Sequence, residues 1–250
     1  MQIVNDLAGI TGGKKVNKLE QMYEGKAKKV FKTDDPELLI VDYKDDATAF
    51  NGEKKGQIAG KGVINNRMSN LLMKMLESKG VPTHFVEEIS ERETVVKAVT
   101  IMPLEVIVRN ISAGSFAKRY GVEEGIVFDK PTFEVSYKND DLGDPLMCES
   151  HAIALGIVTE EEIQTIREYA LKVNSELKAF FLERGLKLVD FKIEFGKTSD
   201  GNIILADEIS PDTCRLWDVE TNKKMDKDRF RRDLGDVEET YQEVFERMEK

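Results

Sequence analysis

The segment from Leu188 to Phe195 constrains the fold more than any other, because its side chains alternate strictly between apolar and charged. One face carries the apolar side chains of Val189, Phe191, Ile193 and Phe195, and the other carries the charged side chains of Asp190, Lys192 and Glu194. Such a period of two predicts a β-strand with one face against a core and one face lined with charge. The chain must therefore build a sheet that is covered on one side.

The turn signal Asp200-Gly201 follows this strand and favours a two-residue type I′ hairpin. In that register Glu194 would lie directly opposite Asp207. Two facing carboxylates destabilise a hairpin unless a cation lies between them. Because Mg²⁺ is commonly held by one or two carboxylates together with phosphate oxygens, the pair predicts a metal site. The alternative is two solvated acids on an exposed sheet face.

The composition bounds the class of protein. With 250 residues, 40% hydrophobic and 34% charged, the chain can form one large domain or two lobes around a cleft. No apolar run is long enough to span a membrane, and Met1–Leu19 lacks the apolar run of a secretory signal. A net charge of −10 argues against a nucleic-acid surface, although a local basic pocket can still bind a small anion. Cys148 and Cys214 show no metal spacing, so we expect free thiols in a reducing cytoplasm.

The order of elements predicts an α+β fold. Strands dominate the first hundred residues, interrupted by an amphipathic helix at Gly62–Lys79. A long helix opens with a capping box formed by Thr159 and Glu162 and ends at Gly185. The segment from Asp226 to the C-terminus is expected to be helical. We divide the chain into an N-terminal extension at 1–17, a first lobe at 18–112 and a second lobe at 113–250.

Two segments are candidates for binding phosphate. Gly25–Lys28 lies between two apolar segments, where a glycine permits close backbone approach and lysines neutralise charge. Its alternative is a lysine-rich surface hairpin. Val106–Ser115 is a strand that runs into small residues, where Arg109 and the Ser115 hydroxyl could bind an anion. Its alternative is a plain strand exit with Arg109 in an ion pair. Arg215, in the loop after Asp207, could also reach a phosphate.

Taken in order, these segments resemble the SAICAR synthetase family. The matching stretches are Tyr23–Lys28, Val108–Asn110, Ala113–Ser115, Lys138–Asp140, Leu188–Gly196, Ala206–Asp212, Arg215–Asp218 and Met225–Phe230. No single stretch is decisive, but the ordered set is specific from about residue 18 to the end. The family usually begins close to Tyr23, so residues 1–17 look like an extension.

The resemblance implies an activity and an architecture. ATP, L-aspartate and carboxyaminoimidazole ribotide (CAIR) would give a succinocarboxamide, ADP and phosphate, with Mg²⁺ as cofactor. The fold would pair a kinase-like, strand-rich nucleotide lobe with a mixed α/β lobe, and the protein would be a cytoplasmic homodimer that binds neither nucleic acid nor membrane.

The resemblance also implies roles for individual residues. The nucleotide site would comprise Lys26, Ala27, Lys28, Val30, Lys97, Thr100, Ile101 and Met102. Mg²⁺ would be bound by Glu194 and Asp207, the ribotide phosphate by Arg109, Ser115 and Arg215, and the reacting region would be lined by Lys138, Asp190 and Lys192. Two rivals share some of these features: a small-molecule kinase, which would leave phosphate on its product, and a non-catalytic nucleotide-binding module, which would need no paired carboxylates.

Overall fold

The computed structural model describes residues 16–49 and 52–250, so most of the predicted N-terminal extension lies outside the described residues. Two main sheets and six α-helices make up the described part of the chain, which confirms the predicted α+β class. None of these helices is long and apolar enough to cross a membrane.

The first sheet is antiparallel and has five strands in the order β1-β2-β3-β7-β6. Their bounds are β1 (Lys18–Glu24), β2 (Lys28–Thr33), β3 (Leu38–Tyr43), β6 (Phe85–Glu88) and β7 (Glu93–Lys97). A separate pair is formed by β4 (Asp46–Ala49) and β5 (Lys54–Gln57). The strand, glycine turn and strand predicted around Gly25 are confirmed by the pairing of β1 with β2.

The second sheet has seven strands and is centred on β12. Its members are β8 (Thr100–Ile101), β9 (Leu104–Ile111), β10 (Val127–Tyr137), β11 (Leu146–Met147), β12 (Leu186–Lys197), β13 (Ile203–Ala206) and β14 (Cys214–Asp218). The order is β11-β10-β9-β12-β13, and β8 and β14 also pair with β12. A lobe boundary at 112 assigns β9 to the first lobe, but β9 pairs with β10 and β12 of the second sheet.

The helices cover the apolar faces of the sheets. They are α1 (Lys61–Ser78), α2 (Gly114–Tyr120), α3 (Glu149–Ala154), α4 (Glu160–Glu183), α5 (Asp228–Arg231) and α6 (Val237–Met248). The capping box of α4 is confirmed, since Thr159 and Glu162 exchange side-chain to backbone hydrogen bonds. The continuous helix predicted from Asp226 is wrong, because Asp233, Gly235 and Asp236 adopt left-handed backbone angles that interrupt it.

The hairpin between β12 and β13 differs from its prediction by one residue. Glu194 pairs with Ala206, so it does not lie opposite Asp207. The turn is closed by Thr198 and Asn202, and Gly201 adopts φ +85°. A three-residue loop with glycine in the left-handed position replaces the predicted two-residue turn. The same glycine is used, but the strands are offset.

A one-residue offset in a hairpin moves side chains to the opposite face of the sheet. Asp207 would therefore point away from Glu194 if β13 continued as a regular strand. Instead β13 ends at Ala206, and Asp207 adopts φ 60°. Aspartate is among the few residues that tolerate this left-handed conformation. The turn of the backbone at Asp207 brings its carboxylate back toward the charged face of β12.

The two sheets are joined directly by backbone hydrogen bonds next to this turn. Leu205 N–H donates to the carbonyl of Pro82 at 2.8 Å, and His84 N–H donates to the carbonyl of Leu205 at 2.9 Å. Lys97 N–H of β7 in turn donates to the carbonyl of His84 at 2.7 Å. Burial lowers the pKa of His84 to about 3, so its ring is neutral at this junction. The position of Asp207 is thus tied to the first sheet.

Candidate functional site

The charged face of β12 carries the centre of the site. Asp190, Lys192 and Glu194 alternate along this strand, as predicted. Lys192 Nζ and Lys138 Nζ lie 2.9 and 2.6 Å from the same oxygen, Glu194 Oε1. Lys192 also donates to Glu105 of β9 at 2.9 Å. The structure therefore brings Lys138, Lys192 and Glu194 into one hydrogen-bonded cluster, whereas Asp190 binds the two arginines.

Asp207 joins the cluster from the end of β13. Its carboxylate contacts the ammonium of Lys28, and its Oδ2 lies 4.0 Å from Lys192 Nζ. Burial alone would raise the pKa of Asp207, but the ammonium groups of Lys28 and Lys192 outweigh it and hold the pKa well below its usual range. Burial would likewise lower the pKa of Lys192, but Glu194, Asp207 and Glu105 raise it above its usual value. Both groups are therefore charged at neutral pH.

The pair of Glu194 and Asp207 has the chemistry that a hard cation requires. One ammonium, that of Lys192, approaches oxygens of both carboxylates, so positive charge is already stabilised between them. Within residues 16–49 and 52–250, no group of three or more His, Cys, Asp or Glu side chains is arranged as a metal site. Two carboxylates completed by phosphate oxygens of a nucleotide would suffice for Mg²⁺.

The predicted nucleotide residues lie on β2, in the β1–β2 turn, at the end of β7 and on or next to β8. The turn is closed by Gly25 N–H, which donates to the carbonyl of Lys28 at 2.8 Å. Lys26 is exposed and its Nζ lies 3.1 Å from Asp140 Oδ1, so it bridges toward the second sheet. Val30 packs with apolar side chains of β3 and β7 on the same sheet face. The carbonyl of Ala27 accepts a bond from Lys44 N–H at 2.8 Å.

The β8 strand brings a second part of that predicted site beside β12. Ile101 pairs with Gly196, and Thr100 and Ile101 are exposed. Met102 is buried, and its N–H donates to the carbonyl of Phe195 at 2.9 Å. The side chain of Lys97 is engaged elsewhere, since its Nζ donates to the carbonyl of Thr83 at 3.0 Å. The exposed strand β8 therefore begins to pair with β12 at Gly196, two residues beyond Glu194.

The two arginines predicted to bind phosphate meet at Asp190. Arg109 of β9 and Arg215 of β14 are the direct cross-strand neighbours of Asp190 on either side of β12. Arg109 Nη1 lies 2.8 Å from Asp190 Oδ2, and Arg215 Nη1 lies 3.0 Å from the same oxygen. Ser115 Oγ accepts from Arg109 Nη2 at 3.3 Å. The structure therefore brings Arg109 beside Ser115 and joins it to Arg215 through Asp190, and the binding of a phosphate by these residues stays a prediction.

The two arginines differ in how much of the guanidinium is exposed and free to bind a ligand. Arg109 is only 2% exposed, and Nε and Nη2 also donate to Glu134 at 2.7 and 3.2 Å. Arg215 is 18% exposed at its side chain, and Nε donates to Asp228 at 3.0 Å. A Cβ on Gly114 would lie 2.4 Å from Arg215 Nη2. Arg215 is thus the accessible member of the pair, and only a glycine leaves it room.

Several carboxylates of the site were not found from the sequence. Glu105, Glu134, Glu208 and Asp228 each contact a predicted site residue. The alternation of β9 could have identified Glu105, which shares a face with Arg109. The other three depend on pairings between distant strands or loops, and no local pattern marks them.

A buried ion pair fixes the loop that follows Asp207. Lys61 at the start of α1 is fully buried, and its Nζ lies 2.9 Å from Asp212 Oδ2. The hydroxyl of Tyr241 on α6 donates to the other oxygen of Asp212 at 2.6 Å. Removing one partner of such a buried pair is strongly destabilising. The loop between the metal-binding candidate and Arg215 is therefore held by both α1 and α6.

Comparison with known proteins identifies the family of this chain. The family model for SAICAR synthetase matches residues 21–248. The phosphoribosylaminoimidazole-succinocarboxamide synthase of Lachnoclostridium phytofermentans is 66% identical over 93% of this chain and 99% of its own length. The crystal structure of the enzyme of that name from Ehrlichia chaffeensis has a TM-score of 0.90 at 47% identity, covering 92% of this chain and 98% of its own. A SAICAR synthetase in complex with ADP has a TM-score of 0.89 at 49% identity, covering 92% and 97%. The chain belongs to the SAICAR synthetase family.

Proposed function

We propose that the charged face of β12 and the facing β1–β2 turn catalyse the family's ligation. In this reaction ATP, L-aspartate and carboxyaminoimidazole ribotide (CAIR) give the succinocarboxamide, ADP and phosphate. The observation that supports it best is the single row Asp190, Lys192 and Glu194, which joins an arginine pair at one end to a lysine–carboxylate cluster at the other. A ribotide with its phosphate at Arg215 would direct its carboxylate toward Lys192.

The chemistry requires that a poor electrophile be activated. A carboxylate is anionic, and oxide is a poor leaving group, so a carboxylate oxygen first attacks the γ-phosphorus of ATP and releases ADP. The aspartate amine then attacks the carbonyl carbon of the acyl phosphate, phosphate leaves with the former carboxylate oxygen, and the nitrogen loses a proton. Lys138 and Lys192, both bonded to Glu194, are placed to neutralise the charge that develops.

The structure supports roles for individual residues in binding ATP and Mg²⁺. Lys28 would bind ATP phosphates, and the exposed backbone of Thr100 and Ile101 would face adenine. Glu194 and Asp207 would hold Mg²⁺, which when bound neutralises phosphate oxygens of ATP. These two carboxylates come from the two arms of one hairpin, and both approach Lys192 Nζ, so a cation would bind between them.

A homodimer and a cytoplasmic location are further parts of the proposal. They rest on the sequence resemblance, and the exposed apolar side chains of Tyr120, Ile126 and Val127 offer surface for a second subunit. Sedimentation of the purified chain over a range of concentrations tests the dimer directly. A single species with the mass of one chain at every concentration would contradict it.

The decisive experiment for the activity is a turnover assay with ATP, Mg²⁺, CAIR and each amino acid in turn. We expect ADP release only when both CAIR and L-aspartate are present. Glu194→Gln should abolish turnover, and Glu243→Gln, whose carboxylate pairs with Arg247 within α6, should not. If ADP forms with CAIR alone and the product keeps its phosphate, the chain acts as a small-molecule kinase and the ligase proposal is wrong.

A further inference from the structure

Lys28 lies between two successive carboxylates that differ in their access to solvent. Its Nζ contacts Asp207 and lies 3.2 Å from Glu208 Oε2. The side chain of Asp207 is 19% exposed, whereas that of Glu208 is 5% exposed. The chain thus provides one lysine with a carboxylate that solvent can reach and another that is shielded from solvent.

The surroundings of Glu208 leave Lys28 as its main partner. Glu208 Oε1 accepts from Ser210 Oγ at 3.5 Å, a long and weak bond. Among the described residues Oε2 accepts no hydrogen bond, although the Lys28 ammonium that donates to Asp207 lies only 3.2 Å away. A buried carboxylate oxygen that accepts no hydrogen bond is unfavourable, so Oε2 is a ready acceptor for a further N–H of Lys28.

The backbone next to Glu208 is anchored from α1. Ile209 N–H donates to Ser69 Oγ at 2.9 Å, and Ser69 is buried in the middle of that helix. Tyr43 of β3 lies beside the same group, since its hydroxyl bonds to Ser69 and its pKa is raised by burial and, to a lesser degree, by the charge of Glu208. Glu208 therefore cannot follow Lys28 outward, and any contact between them holds the lysine in place.

We propose that Glu208 is a positioning residue that holds Lys28 at the nucleotide phosphates when a cation and a nucleotide occupy Asp207. The inference rests on the proposed function. Lys28 would then exchange its bond to Asp207 for one to Glu208, with its remaining N–H groups directed at phosphate. An ammonium has three donors, so it can bind the shielded carboxylate and a phosphate together.

Kinetics of two variants test this assignment. Glu208→Gln should raise the KM for ATP roughly tenfold or more, the usual effect of losing one charge-assisted hydrogen bond, with the KM values for CAIR and L-aspartate within about twofold of wild type. Glu208→Asp, which keeps the charge, should restore part of the loss. Isothermal calorimetry with ADP and Mg²⁺ alone should show the same order of affinities. Glu243→Gln, whose carboxylate pairs with Arg247 within α6, serves as the control for a carboxylate with a purely structural role.

A double-mutant cycle with Lys28→Met separates positioning from a structural role. In the Lys28→Met background, Glu208→Gln should produce no further loss of ADP affinity. Equal losses in both backgrounds, or equal increases in all three KM values, would overturn the inference. If Glu208→Gln does not fold, the same cycle with Glu208→Asp decides. A wild-type chain that turns over only with L-aspartate, together with an additive cycle, would refute the role of Glu208 and leave the ligase activity standing.

Discussion

Nζ of Lys138 lies 2.6 Å from Oε1 of Glu194, although Lys138 follows β10 and Glu194 lies within β12. Lys192 reaches the same oxygen at 2.9 Å. One carboxylate oxygen thus holds two ammonium groups, and any divalent cation that binds Glu194 must share it with them or displace them. The lysines and the proposed Mg²⁺ would compete for this oxygen in the ground state, and both would stabilise negative charge during the proposed reaction.

This competition predicts opposite effects of one substitution. Lys138→Met should lower kcat by about a hundredfold, as is typical for loss of one donor at a developing charge. It should also lower the Mg²⁺ concentration needed for half-maximal activity, because Glu194 loses a competing cation. Steady-state rates over a Mg²⁺ series measure both effects. Lys130→Met, at an exposed position of β10, is the control, and a Lys138→Met enzyme with a wild-type Mg²⁺ profile would contradict the shared site.

The two arginines at Asp190 should respond differently to replacement by lysine. Arg215→Lys keeps the charge but loses the planar fork, so CAIR affinity should fall roughly tenfold to a hundredfold with little change in melting temperature. Arg109→Lys breaks bonds of a side chain that is 2% exposed, so it should also lower the melting temperature clearly. Calorimetry with CAIR and thermal unfolding distinguish the two. Equal melting temperatures would show that burial of Arg109 is not important for stability.

Gly114 provides a way to move Arg215 without changing it. A Cβ there would lie 2.4 Å from Arg215 Nη2, so Gly114→Ala should displace the guanidinium and raise the KM for CAIR. Gly121→Ala is a matched control at the other end of α2. Its backbone angle, φ 63°, is as unusual for alanine as the 53° of Gly114, but nothing lies within 4 Å of its Cβ. Similar KM values in the two variants would rule out a role for this close approach.

A substitution at Gly196 tests whether the nucleotide contacts β8. A Cβ on Gly196 would lie 2.5 Å from Val99 Cγ2 and 3.3 Å from the carbonyl oxygen of Thr100. Gly196→Ala should therefore push β8 away from β12 and weaken ATP binding several-fold, with CAIR affinity retained. Gly201→Ala, in the turn of the same hairpin and free of neighbours, is the control. Unchanged ATP affinity in Gly196→Ala would argue against adenine contacts at β8.

The raised pKa of Asp226 predicts that the stability of the chain depends on pH. Burial, and then the charge of Asp228, raise its pKa to about 7 from a usual 3.8. Between about pH 4 and pH 7 the folded chain keeps a proton that the unfolded chain has lost, so the contribution of Asp226 to stability falls as the pH rises. The free energy of unfolding of wild type, minus that of Asp226→Asn, should thus be larger at pH 5 than at pH 8 in urea titrations. A difference independent of pH would contradict the raised pKa.

Features that depend on neighbouring residues could be predicted from the sequence. The alternation around Asp190 identified the charged face of β12, and the capping box of α4 placed its start at the correct residue. The register of the hairpin was predicted incorrectly because Asp200-Gly201 is compatible with turns of different length. The convergence of Glu194 and Asp207 nevertheless holds, because the left-handed backbone of Asp207 compensates for the offset. No period in the sequence reveals such a single unusual residue.

The partners of the site residues escaped prediction for another reason. Glu134 reaches Arg109 only because β10 lies beside β9, and Asp228 reaches Arg215 from a helix that the sequence had merged with a longer one. Sheet order is set by packing of the whole core, so it is difficult to predict from a single sequence. The candidate residues could be found one by one, whereas their shared contacts required the fold.

Because Asp190, Lys192 and Glu194 belong to one strand, we expect β12 to set the distance between the groups that bind the two ends of CAIR. A rise of about 3.3 Å per residue sets roughly 13 Å between the first and last of these positions. Strands bond to β12 on both sides, so this length is stiff. The strand therefore fixes the distance from the arginine pair at Asp190 to Lys192 and Glu194. Acceptors should consequently be selected by the separation between their phosphate and their carboxylate, before the nucleotide takes part.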